Sequence, residues 1–230
     1  MNEFIAQSAY FGVSLSLLAF FIGTLIKKRF KSAIFNPLLI TIIIVIAVLM
    51  CFKIDYDSYY NGAKYLSYLL TPATVSLAVP LYQQWQLLKS NALAIMLGII
   101  SGMITSLVCV LAFAIILGLD HKDYVTLLPK SITTAIGMGV SEELGGYVAI
   151  TVAAIVITGI LGNVIAETVL KVFKINEPIA KGIAIGSASH AMGTAKAMEI
   201  GEIEGAMSSL SIVVSGLLTV VGATVFSYIY

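Results

Sequence analysis

The chain has 230 residues, of which 59% are hydrophobic and only 11% charged, with 13 basic side chains against 12 acidic ones; the mean hydropathy is +1.01. A water-soluble domain carries about a quarter charged residues, so this polar inventory does not cover a water-exposed body and the bilayer has to be the solvent. A formal net charge of +1 excludes a nucleic-acid binder, which needs a basic stripe to displace counterions from phosphates.

In chain order, charge-free runs at 4–26, 32–52, 65–88, 90–119, 144–166 and 205–230 are each of the length a bilayer crossing requires. The expected fold is an all-α integral membrane bundle of about six full spans, one domain over 1–230. Glu3 is the one charged residue before the first run, with neither a basic stretch nor a small-residue cleavage site, so the run reads as a retained helix rather than a cleaved leader. Asn36-Pro37 reads as a helix start and Thr71-Pro72 as a break. Cys51 and Cys109 lie inside apolar runs and read as small buried hydrophobes rather than a disulfide or metal pair.

Two further stretches, 131–141 and 183–195, are apolar but short and rich in Gly, Ser and Thr, as broken or re-entrant segments are. Non-helical backbone at membrane depth is tolerated only where it is buried in protein or lines a wet cavity. The positive-inside rule puts Lys27, Lys28, Arg29 and Lys31 in the cytoplasm and the N-terminus outside. Asp55, Asp57 and the Asp120–Asp123 loop then fall outside and Lys89 inside. Lys171, Lys174 and Lys181 join Lys89 only if 124–146 enters and leaves on the same face. With that segment re-entrant, 32–119 and 144–230 form two long–broken–long triplets of opposite direction, the plan of an inverted-repeat carrier.

The richest chemistry lies between Lys181 and Lys196. An ionisable group at membrane depth costs a few kcal/mol or more, so His190 and Lys196 are site candidates, for a proton and a charge role respectively. Ser187, Ser189 and Thr194 supply hydroxyls, and Gly193 allows close backbone approach. A helix broken there presents N–H groups that suit a carboxylate. The bland alternative is a tight packing face in which His190 only bonds a neighbouring helix. In the other broken stretch, Thr133 and Thr134 precede two glycines and are read as substrate-facing. Thr71, Thr74 and Glu142 are further lining candidates, although Ser141-Glu142-Glu143 also reads as a cap of the following helix. Ser189 beside His190 makes no catalytic dyad, since neighbours on a helix point apart, and no Gly-x-Ser-x-Gly or His-Glu-x-x-His pattern occurs. No enzyme activity, metal or cofactor is expected.

Pro129-Lys130-Ser131-Ile132-Thr133-Thr134 with Ser141-Glu142-Glu143-Leu144-Gly145-Gly146, and Gly186-Ser187-Ala188-Ser189-His190-Ala191-Met192-Gly193-Thr194, resemble the LrgB/CidB family of bacterial membrane proteins. That family is related to the carrier half of the plastidial glycolate/glycerate transporter. The resemblance covers nearly the whole chain and implies a multi-pass protein of the bacterial cytoplasmic membrane. It implies two overlapping functions. One is transport of small monocarboxylates such as pyruvate, lactate or glycolate, with proton coupling because a co-transported proton removes charge from the low-dielectric path. The other is an antiholin-like or holin-associated role that modulates murein hydrolase activity and autolysis without moving solute. The partners implied are a small holin-like LrgA/CidA-type membrane protein, a small organic anion, the lipid bilayer and further copies of the chain.

Overall fold

A computed structural model describes residues 10–30 and 35–230, the side chains of Leu70 and Thr74 excepted. Every regular element among them is helical. The chain separates into two compact units, Met1–Ser76 and Leu77–Tyr230.

The first unit holds α1 (Phe11–Phe30), α2 (Pro37–Cys51), α3 (Tyr56–Ser67) and α4 (Leu70–Ser76). The Asn36 side-chain oxygen accepts from the Leu38 N–H at 2.8 Å, with Pro37 in the first turn of α2, so the expected helix start is present. There the missing proline donor costs nothing. α1 packs on α2 and α3, with Gly12 seated against the Tyr59 carbonyl and the Ser16 and Tyr59 hydroxyls 2.8 Å apart.

The second unit contains α5 (Ala78–Gln83), α6 (Trp85–Ser90), α7 (Ala92–Leu117), α8 (His121–Leu127), α9 (Thr134–Glu143), α10 (Val148–Val172), α11 (Pro178–Ile200) and α12 (Glu202–Ser227). Among the described residues, α1, α7, α10 and α12 are long and apolar enough to cross a bilayer, which makes this a helical membrane protein. Two of the six expected spans differ. The described part of 32–52 is the 15-residue α2, and 65–88 is no single helix but is divided among α3, α4, α5 and α6. Pro72 and Pro80 each fall in the first turn of their own short helix, where a proline is tolerated; in the interior of one long helix both would break it.

Two stretches of the second unit double back on themselves. Asp120 caps α8, its carboxylate accepting from the Asp123 N–H at 2.7 Å. α8 then runs inward to a turn at 128–133, and α9 returns. Thr126 of α8, Ser141 of α9 and Thr151 of α10 are at one level. The Thr151 hydroxyl donates to the Thr126 carbonyl at 2.8 Å and is 2.7 Å from the Ser141 hydroxyl. Gly145, at φ +78°, ends α9, and the Gly146 N–H closes that end on the Ser141 carbonyl at 2.7 Å. Ser141 and Glu142 thus belong to the end of α9 and do not cap the next helix, correcting the capping expectation. Tyr147 holds that position instead.

The second doubling back is inside α11. His190 has φ 42° and ψ −139°, the left-handed half of the map, and the helix is broken there. A side chain at Gly193 would meet the Ile185 carbonyl oxygen at 3.0 Å. Eight residues along an unbroken helix are about 12 Å apart, so the second half of α11 lies back against the first. The break expected over 183–195 is therefore present at its centre.

Both hairpins pack along α7. From one end, the first half of α11 lies beside it in steps of one turn, Gly98 facing Ile183 and Gly102 facing Ser187. From the other end, Tyr124, Val125 and Leu128 pack with Ala114, Val110 and Leu107 of α7 in one buried cluster, and the turn beyond them reaches Ser106. Ser106 is close to the middle of the 26-residue helix. The tips thus meet near mid-α7 from opposite ends.

Candidate functional site

Between α7, the α8–α9 turn, α10 and the first half of α11 lies a cleft of about 930 Å³. Its α7 wall is a stripe of small residues, Gly98, Ser101, Gly102, Thr105, Ser106 and Cys109, spaced at three and four so that they share one face. Ser101 and Thr105 return their hydroxyl protons to carbonyls of their own helix, at 2.9 and 2.7 Å. That local bond lets a hydroxyl stay at membrane depth without a partner elsewhere.

Opposite the stripe stand Lys130, Ser131, Ser187 and Ser189. The Lys130 ammonium donates to the Ser131 hydroxyl at 3.1 Å, and that hydroxyl is 3.0 Å from the Ser106 hydroxyl. The Ser187 hydroxyl oxygen is buried without a hydrogen-bond partner. Ser189 fits against Gly162 of α10 so closely that a β-carbon there would collide with its hydroxyl. At the far end of the cleft are Asn91 and the exposed Glu177.

The other sequence-level candidates are placed elsewhere. His190 is buried, 3% exposed, and its Nε2–H donates to the Ile155 carbonyl at 3.0 Å. Thr194 bonds the His190 carbonyl at 3.0 Å and the Ser208 hydroxyl at 2.7 Å, which ties the α11 break to α12. Gly193 is packed inside the hairpin. Thr133 precedes α9 and Thr134 begins it; neither lines the cleft, one turn of chain away from Ser131. Glu142 is exposed at the end of α9 and Thr71 is exposed in the first unit, while the Thr74 side chain lies outside the described residues.

Lys196 is engaged by carboxylates, 2.6 Å from Glu167 and 3.1 Å from Glu199. With Glu167 half-exposed, such pairs are worth under about 1 kcal/mol. Lys196→Met should therefore lower thermal stability only slightly, as differential scanning fluorimetry in detergent will read.

Both cysteines are exposed on the isolated chain, correcting their reading as buried hydrophobes. An apolar run at membrane depth faces lipid as readily as protein, so hydropathy does not report burial. Cys109 lines the cleft. Sequence reasoning passed over the α7 stripe and weighed Lys130 only as part of a motif; the three-and-four spacing of Gly98 to Cys109 was the available signal.

The profile of the LrgB-like family matches residues 16–229. An antiholin-like protein LrgB of Bacillus mycoides is 39% identical over 96% of both chains. Proteins of the same description from Bacillus cereus and Bacillus anthracis are 38% identical over the same shares. No solved structure matches the chain significantly.

Proposed function

Because the chain belongs to the LrgB-like family, we propose that it acts as an antiholin-like membrane protein, working beside a small LrgA-type partner to restrain lysis. The observation that carries this reading is the 38–39% identity, over 96% of each chain, to proteins so described. It is a membrane protein and not an enzyme.

A second reading, a carrier for small monocarboxylates, is favoured by the cleft. Two interrupted segments that meet near the middle of a membrane-length helix are how secondary carriers build a substrate site. A pore-restraining protein has no evident need of a half-buried lysine and an unpartnered serine there. In this reading Ser187 and Ser189 face the solute directly. Thr133, Thr134, Gly193 and Thr194 shape the two tips, His190 relays a proton across the break, and Lys196 balances charge. The positive-inside assignment places the N-terminus outside.

The readings separate in one design. The protein is reconstituted in liposomes, with and without the small partner, and uptake of labelled pyruvate, lactate and glycolate is followed with and without a pH gradient. Lysis rates are compared in cells lacking or overproducing it. A pure regulator alters lysis and gives no flux. A carrier gives saturable flux, and indifference of that flux to the gradient removes the proton-coupling claim.

A further inference from the structure

We propose that Lys130 and Ser187, with the Ser106–Ser131 pair between them, form an anion subsite in the cleft, occupied by a small organic monoanion. The inference rests on the carrier reading for its consequence, but its evidence is local.

The first observation is electrostatic. Lys130 lines the cleft beside mid-α7, and among the described residues no carboxylate pairs with it. Among the described residues, the cations of this unit that do pair with a carboxylate are near helix ends: Lys171 and Lys196 against Glu167, Lys181 against Glu204. A lone ammonium in a low-dielectric setting is expensive unless something anionic visits it.

The second observation is the Ser187 hydroxyl oxygen. The residue is 8% exposed, lines the cleft, and makes no hydrogen bond. A serine on a helix ordinarily bonds the carbonyl a turn back, as Ser209, Ser211 and Ser215 do on α12. A buried hydroxyl left without a partner costs free energy that a ligand oxygen recovers.

The spacing sets the ligand. Ser187 abuts Gly102, a Cβ there lying 3.2 Å from the Ser187 Cβ; Ser106, which carries the Lys130 cluster, is one turn further along α7. Four helical residues rise about 6 Å. A carboxylate held by the ammonium and the Ser131–Ser106 hydroxyls therefore brings an oxo or hydroxyl group on the adjacent carbon toward Ser187. The single positive charge calls for a monoanion, and Glu177 at the far end of the cleft disfavours a second negative charge.

Cys109 provides the reporter, since it lines the same cleft one turn beyond Ser106. The full chain, with Cys51→Ser, is reconstituted in nanodiscs and the N-ethylmaleimide labelling rate of Cys109 is measured with and without pyruvate, so that each variant is judged by its own ratio. Pyruvate is expected to slow labelling several-fold in the parent. Lys130→Gln should abolish protection and Lys130→Arg should retain it. Ser187→Ala should raise the pyruvate needed for half-protection about two- to tenfold, the worth of one neutral hydrogen bond. If Lys130→Gln does not fold, Ser187→Ala carries the test alone. Protection that survives Lys130→Gln or is unaltered in Ser187→Ala overturns the proposal, as does protection by phosphate or chloride equal to that by pyruvate. Flux measured in parallel keeps the two readings apart: protection without flux removes the carrier and keeps the subsite, whereas flux without protection removes the subsite alone.

Discussion

Gly186→Leu should abolish most of the folded protein, whereas Gly139→Ala should be neutral or stabilising. A Cβ at position 186 would lie 2.5 Å from the Ser208 carbonyl oxygen and 2.8 Å from its Cα. Both are backbone atoms of α12, which cannot swing aside as a side chain does. The new side chain has to separate the first half of α11 from α12, along the helix pair that shares the most extensive contact in the unit. Overpacking of this kind costs about 3 kcal/mol or more, a large part of the stability of a domain. Nothing lies within 4 Å of a Cβ at Gly139, and alanine in a helix is favoured over glycine by up to about 1 kcal/mol. Monodisperse yield from size-exclusion chromatography and thermal unfolding in detergent measure both. A Gly186→Leu protein as stable as the parent would show that α11 and α12 do not approach at this point.

The His190 substitutions should rank parent, then His190→Gly, then His190→Ala in stability. The residue holds φ 42° and ψ −139°, a sparsely populated region where a Cβ costs about 1–3 kcal/mol relative to glycine. Its ring packs against Gly159, a Cβ there falling 2.7 Å from Cε1, while Nε2–H donates to the Ile155 carbonyl at 3.0 Å. Both variants lose the ring and that hydrogen bond, about 1–3 kcal/mol. Alanine additionally keeps the unfavourable backbone, so it should be about 1–3 kcal/mol less stable than glycine. Equal stability of the two would exclude the left-handed conformation at this residue. Uptake by the folded fraction adds a second reading: the carrier interpretation requires flux to fall in both variants, while a regulator that moves no solute is unaffected in its control of lysis.

The interruptions were legible because they break two patterns at once. Residues 131–141 and 183–195 are too short and too rich in glycine and hydroxyls for a lipid-facing span, and the lysine distribution required 124–146 to return to the face it left. The chain doubles back near both stretches. The fragmentation of 65–88 escaped the hydropathy argument, which averages over a window and so weighs Pro72 and Pro80 as two mildly polar residues rather than as two lost backbone donors. The α7 wall escaped for a different reason. Ser101 and Thr105 satisfy themselves on their own helix, so nothing local distinguishes a cavity-facing hydroxyl from one tolerated in lipid. Lys130 gains its setting from Ser106 through Ser131, a contact 25 residues distant along the chain. Such a juxtaposition is a property of the packed hairpins and has no counterpart in neighbouring residues.

The meeting of the two tips beside the middle of α7 also has an electrical meaning. A unit charge taken across the whole bilayer exchanges about 2.3 kcal/mol with every 100 mV of membrane potential, and one resting next to Lys130 has travelled roughly half of that drop. For an anion that enters this position without a proton, filling or emptying it would be voltage-dependent, worth about 1 kcal/mol per 100 mV. An energised cell and a de-energised one would hold the same cleft at different occupancies from the same solute concentration.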